Sequence, residues 1–153
     1  MKCHKRLLHL PVVIALIVIV ANIAQAATQS FNVEAGKDVE EIIELQASDT
    51  LSVSLQVTAV ESSKLHFYII LPNSTIIDYG DTNQLTIELS TKVDGECKLH
   101  FDNSHSESAK LITINYNIEH YIFGVPQMLF LLIAIGILLL FVVAGYIAMG
   151  KYG

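Results

Sequence analysis

Histidines, one cysteine and a few carboxylates are the side chains of this sequence best suited to chemistry in water. His100, Asp102 and His105 stand close together near a predicted strand end, a spacing that could hold a cation. No His-x-x-x-His, Cys-x-x-Cys, nucleophile elbow or glycine-rich phosphate loop occurs. Unpaired surface histidines are the commoner outcome, so we predict no catalytic residues, no cofactor, no metal ligands and no enzymatic activity.

Cys97 is predicted to be a buried, inert thiol. Cys3 lies near the N-terminus, so Cys97 has no partner for a disulfide within a folded domain, which must therefore rest on its hydrophobic core. In a strand Cys97, Leu99 and Phe101 share one face. The alternative is an intermolecular disulfide.

The C-terminal segment is long and apolar enough to cross a membrane. The run from Met128 to Met149 contains no charge, and a helix of that length reaches about 33 Å, against a hydrocarbon core of roughly 30 Å. We therefore predict a transmembrane helix over residues 126–149 and a cytoplasmic tail over residues 150–153.

The N-terminal segment has the pattern of a secretory signal peptide, predicted over residues 1–26. Lys2, Lys5 and Arg6 precede an apolar run, and Ala24-Gln25-Ala26 supplies the small residues of a cleavage site. The alternative is an uncleaved anchor. Both interpretations leave the basic termini in the cytoplasm and the middle of the chain outside it.

The segment between these ends, residues 27–119, is long enough for one small domain, and residues 120–125 join it to the helix. Five lysines oppose all 15 acidic residues, which gives a formal charge of −10. Such a charge repels nucleic acid and anionic headgroups, so we expect no nucleic-acid partner. An ordinary solvated surface is favoured over an acidic site for a basic partner.

Alternation of apolar and polar residues predicts strands throughout this domain. Residues 51–59, 85–89 and 112–118 alternate with a period of two, and residues 65–71 are apolar on both faces, which indicates a central strand. Val39–Gln46 also fits a helix face but is assigned to a strand. Turn chemistry separates the runs at Ala35–Asp38, Pro72–Ser74, Tyr79–Asn83 and Val93–Gly95. The predicted fold is all-β, an antiparallel β-sandwich or jelly roll, followed by one transmembrane helix.

The segment from Gly95 to Lys110 resembles a known family. Gly95 opens a strand that ends in Phe101-Asp102-Asn103, Ser106 follows three residues after the asparagine, and Lys110 opens the last strand. This pattern is similar to the penultimate strand and loop of the Golgi-dynamics (GOLD) domain. Further runs extend the resemblance over nearly the whole domain: Val33–Gly36, Gln46–Leu51 and Phe67–Asn73.

The resemblance implies a β-sandwich that binds other proteins. The best-known GOLD proteins are small type I membrane proteins of the early secretory pathway, which act as cargo receptors in coated vesicles and assemble as hetero-oligomers. By that resemblance, this chain is a single-pass protein embedded in the lipid bilayer. Its extracytoplasmic domain, at the cell surface or in the secretory-pathway lumen, is expected to bind protein clients or membrane-complex partners.

Three features differ from those receptors. They carry a cysteine pair, whereas here His100 precedes Phe101 and Cys97 stands where an aromatic is usual. They place a coiled coil before the membrane, for which residues 120–126 leave no room. Their coat-binding diphenylalanine or dilysine signals are absent from residues 150–153. A prokaryotic surface protein with a stand-alone GOLD domain fits these differences at least as well.

The motif residues also have a structural interpretation that needs no family. Asn103 and Ser106 are expected to hydrogen-bond the backbone of a tight loop. Phe101 is expected in the core, and Lys110 is expected to keep its charge in water at the start of the last strand. Together with Gly95, they are predicted to determine the fold rather than to perform chemistry.

Two further sites are predicted outside the motif. Asn73, in Asn73-Ser74-Thr75, is a candidate glycosylation site in a surface turn. Ala144 and Ala148, beside Gly145, form a small-xxx-small pattern that could let a second helix approach closely in an oligomer.

Two other classes of function are retained beside the protein-binding one. The first is a structural envelope or membrane-complex subunit without a soluble client, held laterally by its helix. The second is a carbohydrate-binding surface domain, which is disfavoured because sugar sites depend on aromatic platforms and the sequence has no Trp.

Overall fold

The computed structural model of this chain describes residues 25–59 and 64–151. Residues 1–24 of the predicted signal peptide and the last two residues of the predicted tail lie outside the described residues. The described chain falls into two compact units, one formed by Gln25–His120 and one that contains the residues from Tyr121 onward.

The first unit is an antiparallel β-sandwich. In the described residues its strands form two four-stranded sheets, with the orders β1-β8-β3-β6 and β2-β7-β4-β5. This interleaved order is that of a jelly roll, and it confirms the predicted fold class. The strands are β1 (Gln25–Val33), β2 (Asp38–Leu45), β3 (Thr50–Thr58), β4 (Leu65–Ile70), β5 (Ile76–Thr82), β6 (Gln84–Ser90), β7 (Gly95–Asp102) and β8 (Lys110–Glu119).

One hydrophobic core lies between the two sheets. Every second residue of β3, β4, β7 and β8 points into it. Alternation predicted this for β3, β7 and β8, whereas β4 was expected to be apolar on both faces. The Phe101 ring joins the sheets, because its centroid lies 5.3 Å from that of Phe31 in β1 and 5.2 Å from that of Phe67 in β4. Burying each such side chain contributes about 1.5–3 kcal/mol.

The ambiguous segment Val39–Gln46 is a strand, which confirms its assignment. β2 pairs with β7 in a register that places Ile43 opposite Cys97 and Leu45 opposite Gly95. Ile43 and Leu45 are buried whereas Ile42 is 47% exposed. The helical spacing in this segment was therefore coincidental, and a period of two decides which residues enter the core.

The predicted turn Tyr79–Asn83 is mostly wrong. Strand β5 continues through Thr82, and Asn83 by itself separates it from β6. Phe67 pairs with Gly80 and Tyr68 pairs with Asp78, so Tyr79 is the extra residue of a β-bulge. Gly80 has a φ of +68°, and a bulge of this kind uses the same left-handed glycine that a turn would.

The second unit contains a short hairpin and a helix. Strands β9 (Tyr121–Ile122) and β10 (Val125–Pro126) pair in the segment predicted as a joint, and helix α1 (Gln127–Lys151) follows directly. Its portion Gln127–Ala148 is long and apolar enough to cross a membrane. Pro126 thus ends a strand, rather than lying within the first helical turn as the sequence suggested.

Candidate binding surfaces

The loop between β7 and β8 is held by the side chain of Asn103. Its Nδ2 donates to the carbonyl oxygens of Val33 and Glu34 at 3.1 Å and of Ser108 at 2.9 Å. The residue is 1% exposed. The predicted backbone contact is confirmed for Asn103, and it reaches further than expected because two of the three acceptors lie at the end of β1 and the start of the β1–β2 connection.

Three other motif residues also have structural roles: Ser106, Phe101 and Gly95. The Ser106 hydroxyl donates to the Ser108 carbonyl oxygen at 3.2 Å and accepts from the Ser108 amide at 3.3 Å. Phe101 is fully buried. Gly95 has a φ of +137°, and a Cβ there would lie 3.3 Å from the Cβ of Pro72. The backbone angle therefore favours glycine, and the close approach to Pro72 adds to that preference.

Lys110 departs from its prediction. Its charge was expected in water, but the residue is 4% exposed, because it lies in phase with the inward-facing Ile112 and Ile114 of β8. The ammonium donates a hydrogen bond to the Lys64 carbonyl oxygen. Burial lowers the pKa of Lys110, and the Asp81 carboxylate partly opposes that shift.

A polar cleft of about 380 Å³ opens beside Lys110 at one end of the sandwich. Its imidazoles and carboxylates come from β4, β5, the end of β7 and the following loop, and its amines are those of Lys64, just before β4, and Lys110, at the start of β8. Hydrogen bonds from Ser104 lower the pKa of the Asp102 carboxyl, and His105 and His66 lower it further. The lining side chains include His66, Asp81, Asp102, Asn103, His105 and Ser106.

The three residues considered for a cation do not converge. Asp102 and His105 line the polar cleft, whereas His100 is not among the residues that line it. His100 instead contacts Asp38 in β2, with 2.9 Å between Nδ1 and Oδ2. Among residues 25–59 and 64–151, no group of three or more His, Cys, Asp or Glu side chains is arranged to bind a metal ion.

His100 and Tyr68 form the centre of the outer surface of the second sheet. Their rings stack with centroids 4.5 Å apart and an interplanar angle of 5°. The Glu40 carboxylate lies 3.3 Å from His100 Nε2, and the Tyr68 hydroxyl lies 3.3 Å from an Asp38 oxygen. Burial and the Asp38 charge raise the pKa of Tyr68.

We call this outer surface of the sheet β2-β7-β4-β5 the acidic face. Carboxylates from three of its four strands surround the stacked rings, and a row of three isoleucines and one lysine crosses the sheet beside them. The register places Lys98 opposite both Ile42 and Ile70, and Ile70 opposite Ile76. Its outward residues are Asp38, Glu40, Ile42, Glu44, His66, Tyr68, Ile70, Ile76, Asp78, Asp81, Glu96, Lys98, His100 and Asp102.

We call the outer surface of the sheet β1-β8-β3-β6 the hydroxyl face. Hydroxyl and amide side chains meet across its strands: Thr28 donates to Asn115, and Ser30 lies 3.0 Å from Thr113, oxygen to oxygen. Charge is sparse on this surface. Its outward residues are Thr28, Ser30, Asn32, Ser52, Ser54, Gln56, Thr58, Gln84, Thr86, Glu88, Ser90, Leu111, Thr113, Asn115, Asn117 and Glu119.

Cys97 is fully buried on the inner side of β7, as predicted, and burial raises the pKa of its thiol to about 11. No disulfide joins it to another described residue. Asn73 is exposed in the β4–β5 turn, where its Oδ1 accepts from the Thr75 amide at 3.0 Å. Glycosylation of this asparagine stays a prediction.

The predicted helix–helix contact lies on an open helix surface. Ala144, Gly145 and Ala148 are exposed in α1, and a Cβ added at Gly145 meets nothing within 4 Å. The surface is therefore accessible to a second helix, and the oligomer itself stays a prediction.

Sequence reasoning missed the acidic face. Alternation within β7 directed His100 away from the core, but residues 65–71, which include Tyr68, were read as apolar on both faces, and Ile76 was assigned to no predicted strand. Their neighbourhood depends on which strands pair and in which register, which the pattern of a single strand does not contain.

Comparisons with known proteins leave the family open. No protein-family model matches this chain, and no curated protein matches it either. The resemblance to the GOLD family therefore stays a prediction.

Among solved structures, the fold is similar to PliG, a periplasmic inhibitor of g-type lysozyme. For the Aeromonas hydrophila protein the identity is 12% and the TM-score 0.48, over 63% of this chain and 88% of that one. For the Salmonella Typhimurium protein the values are 17% and 0.43, over 61% and 87%. A de novo designed double-stranded β-helix is also similar, with 11% identity and a TM-score of 0.38, over 59% and 97%. Likenesses this distant assign no function.

Proposed function

We propose that this chain is a membrane-anchored, non-enzymatic protein-interaction module of the GOLD type. Helix α1 anchors it in the bilayer, and the sandwich binds a protein partner on the extracytoplasmic side. The partner is a client of a cargo-receptor-like protein or another subunit of a membrane complex. The observation that carries the proposal is the composition of the acidic face.

The acidic face has the anatomy of a protein-binding surface. Ile42 is 47% exposed and Ile76 is 63% exposed, and Lys98 and Ile70 lie between them in the register. Strands about 4.8 Å apart make this row of three isoleucines and one lysine roughly 14 Å wide, and the stacked Tyr68–His100 pair lies in the next row. Interfaces between proteins commonly combine a central apolar and aromatic patch with a polar border, and the carboxylates provide that border here.

The charge of the acidic face indicates what kind of protein would fit it. Lys98 lies 3.5 Å from Glu40 and 3.7 Å from Glu96, so the one lysine of this surface is already shared between carboxylates. The remaining negative charge favours a partner with a basic surface, which it would attract during diffusion and hold in register.

The carbohydrate-binding alternative has less support. The hydroxyl face offers polar groups, but none of its described outward side chains is aromatic. On the acidic face the Tyr68 ring already stacks on His100, so one side of that ring is occupied.

The test is photo-crosslinking of the full-length protein in its own membrane. A photoreactive amino acid is placed either at Ile76 on the acidic face or at Thr86 on the hydroxyl face, which are both exposed strand positions. We expect position 76 to capture a discrete protein with a basic surface and position 86 to capture little. Equal capture at both positions, or capture at neither, would contradict the proposal.

Substitutions separate the protein-binding proposal from the structural alternative. With the photoreactive amino acid kept at position 76, Ile42→Ser removes an exposed apolar side chain of the same face and should reduce capture by about tenfold, equivalent to 1.4 kcal/mol. Thr86→Ser on the hydroxyl face should leave capture unchanged. If Ala148→Leu abolishes capture and Ile42→Ser does not, the chain is a structural subunit held by its helix. Sequencing the mature N-terminus tests the topology, because a start at Ala27 means one span.

A further inference from the structure

The hairpin before the helix turns through an unusual residue. The loop between β9 and β10 consists of Phe123 and Gly124, with φ angles of +53° and +76°. Two positive angles in a two-residue loop are typical of a type I′ turn, whose first position favours asparagine, aspartate or glycine. A phenylalanine there is strained, because its Cβ crowds the backbone in the left-handed region.

The strained residue also exposes its ring. Phe123 is 93% exposed, the highest value among the large apolar side chains that the structure describes. A strained aromatic residue that gains almost no burial within the chain is a reason to look for a function at that position.

The ring lies level with the start of the membrane-spanning segment. Its centroid is 6.2 Å from that of Phe130, and both residues belong to the same unit of the chain. Phe130 is the fourth residue of α1 and lies inside the apolar portion Gln127–Ala148. If Phe130 enters the bilayer, the Phe123 ring beside it cannot be far from the lipid.

We propose that the hairpin Tyr121–Pro126 is an interfacial membrane anchor, with the Phe123 ring inserted at the boundary between headgroups and acyl chains. Aromatic side chains favour this zone, and insertion there removes from water the ring that the fold leaves exposed. The anchor fixes the depth at which the helix begins. The inference rests on the membrane-spanning part of the proposed function and not on the protein-binding part.

The chain contains no Trp, so a single Trp is an unambiguous fluorescent reporter. Full-length Phe123→Trp and, separately, Ile137→Trp in the middle of α1 are reconstituted in phosphatidylcholine vesicles. The vesicles contain lipids brominated near either the headgroup end or the methyl end of the acyl chain. We expect the shallow bromines to quench the Trp of Phe123→Trp roughly twofold more than the deep ones, since an interfacial side chain lies about 5–10 Å into the boundary. The opposite order is expected for Ile137→Trp.

Each other outcome has a distinct meaning. The first is that the Trp of Phe123→Trp emits like Trp in water while the Trp of Ile137→Trp is quenched by deep bromines. This result would overturn the anchor and leave the spanning helix intact. Blue-shifted emission without quenching by either lipid would mean that protein, such as a second copy of the chain, covers the ring, which also overturns the proposal. Absence of quenching for Ile137→Trp would instead overturn the spanning helix.

A second measurement covers the case in which Trp disturbs the turn. A nitroxide attached at Phe123→Cys, in a background of Cys3→Ser and Cys97→Ala, reports depth through its accessibility to oxygen and to a water-soluble nickel chelate. Greater access for oxygen than for the chelate is expected, and the reverse would overturn the proposal.

Discussion

The two outer faces of the sandwich are built on the same core but have opposite chemistry. The hydroxyl face presents Ser, Thr, Asn and Gln side chains that bond one another across strands, as Thr28 and Asn115 do. The acidic face presents carboxylates around a stacked aromatic centre, with exposed Ile42 and Ile76 beside it. Both are solvated sides of antiparallel sheets, so folding does not require the difference. A partner that binds through opposite charge and apolar contact would distinguish the two faces.

The largest expected effect on stability comes from truncating a side chain of the core that lies beneath both faces. Phe101→Ala should lower the free energy of unfolding by about 3–5 kcal/mol, because the ring contacts aromatic residues in both sheets. Chemical unfolding of the full-length protein in nanodiscs, followed by circular dichroism, measures this. Phe101→Leu is the milder control. A loss under about 1 kcal/mol for the alanine variant would mean that the sheets do not depend on this contact.

A pH experiment tests whether water is excluded from the inner side of β7, where Cys97 is buried. The pKa of the Cys97 thiol is raised to about 11 from 9.0, so the unfolded chain loses this proton at lower pH than the folded one. The thiol therefore contributes stability below pH 9.0 that is lost as the pH rises to about 11, by about 2–3 kcal/mol.

Comparison with a variant isolates the Cys97 contribution from other groups that titrate in the alkaline range. Burial shifts the pKa of Tyr68 upward and that of Lys110 downward, but both groups are present in wild type and in Cys97→Val. The difference in unfolding free energy between the two proteins should therefore change over this pH range. A flat difference, or rapid reaction of the native thiol with a thiol reagent, would show that water reaches β7.

Ionic strength should sharpen the comparison between the faces. Capture of a basic partner through the acidic face should fall several-fold between about 0.05 and 0.5 M NaCl, because salt screens exposed charges. Glu96→Gln should weaken both the capture and its salt dependence. The matched variant on the other sheet is Glu88→Gln, and an equal effect there would mean that overall charge, rather than the acidic face, attracts the partner.

The smallest effect is expected on the hydroxyl face. Thr86→Val removes one exposed hydroxyl whose oxygen lies 3.4 Å from that of Ser54, so the free energy of unfolding should change by less than about 0.5 kcal/mol. Capture of the partner should be unchanged. Thermal unfolding and crosslinking check the two expectations, and a large loss of capture would assign the binding surface to this sheet instead.

Much of the fold could be predicted because strand periodicity is a local property. Alternation placed Cys97, Leu99 and Phe101 on one buried face, and the amide of Asn103 was correctly expected to bond backbone in a loop. The length of the uncharged C-terminal run likewise indicated a helix that could span a membrane, and Gln127–Ala148 has that character. These inferences need only the geometry of a strand, a turn or a helix.

Predictions that depended on neighbours distant in sequence were less successful. The charge of Lys110 was expected in water, yet its phase along β8 directs it inward to the Lys64 carbonyl oxygen. The Tyr79–Asn83 turn became a bulge because β5 continues its pairing with β4. In both cases the local sequence predicted a solvated charge or a turn, and pairing with a second strand placed the residue in a different environment.

Spacing and hydropathy were thus sufficient for the class of fold and the apolar helix, since the side-chain alternation of a strand and the length of an apolar run are both properties of a single segment. Only the tertiary structure decided which outward residues meet. Strand order and register bring Asp38, His100 and Tyr68 together from three separate strands. Pairing is a property of two segments at once, and therefore the contrast between the acidic face and the hydroxyl face exists only in the folded protein.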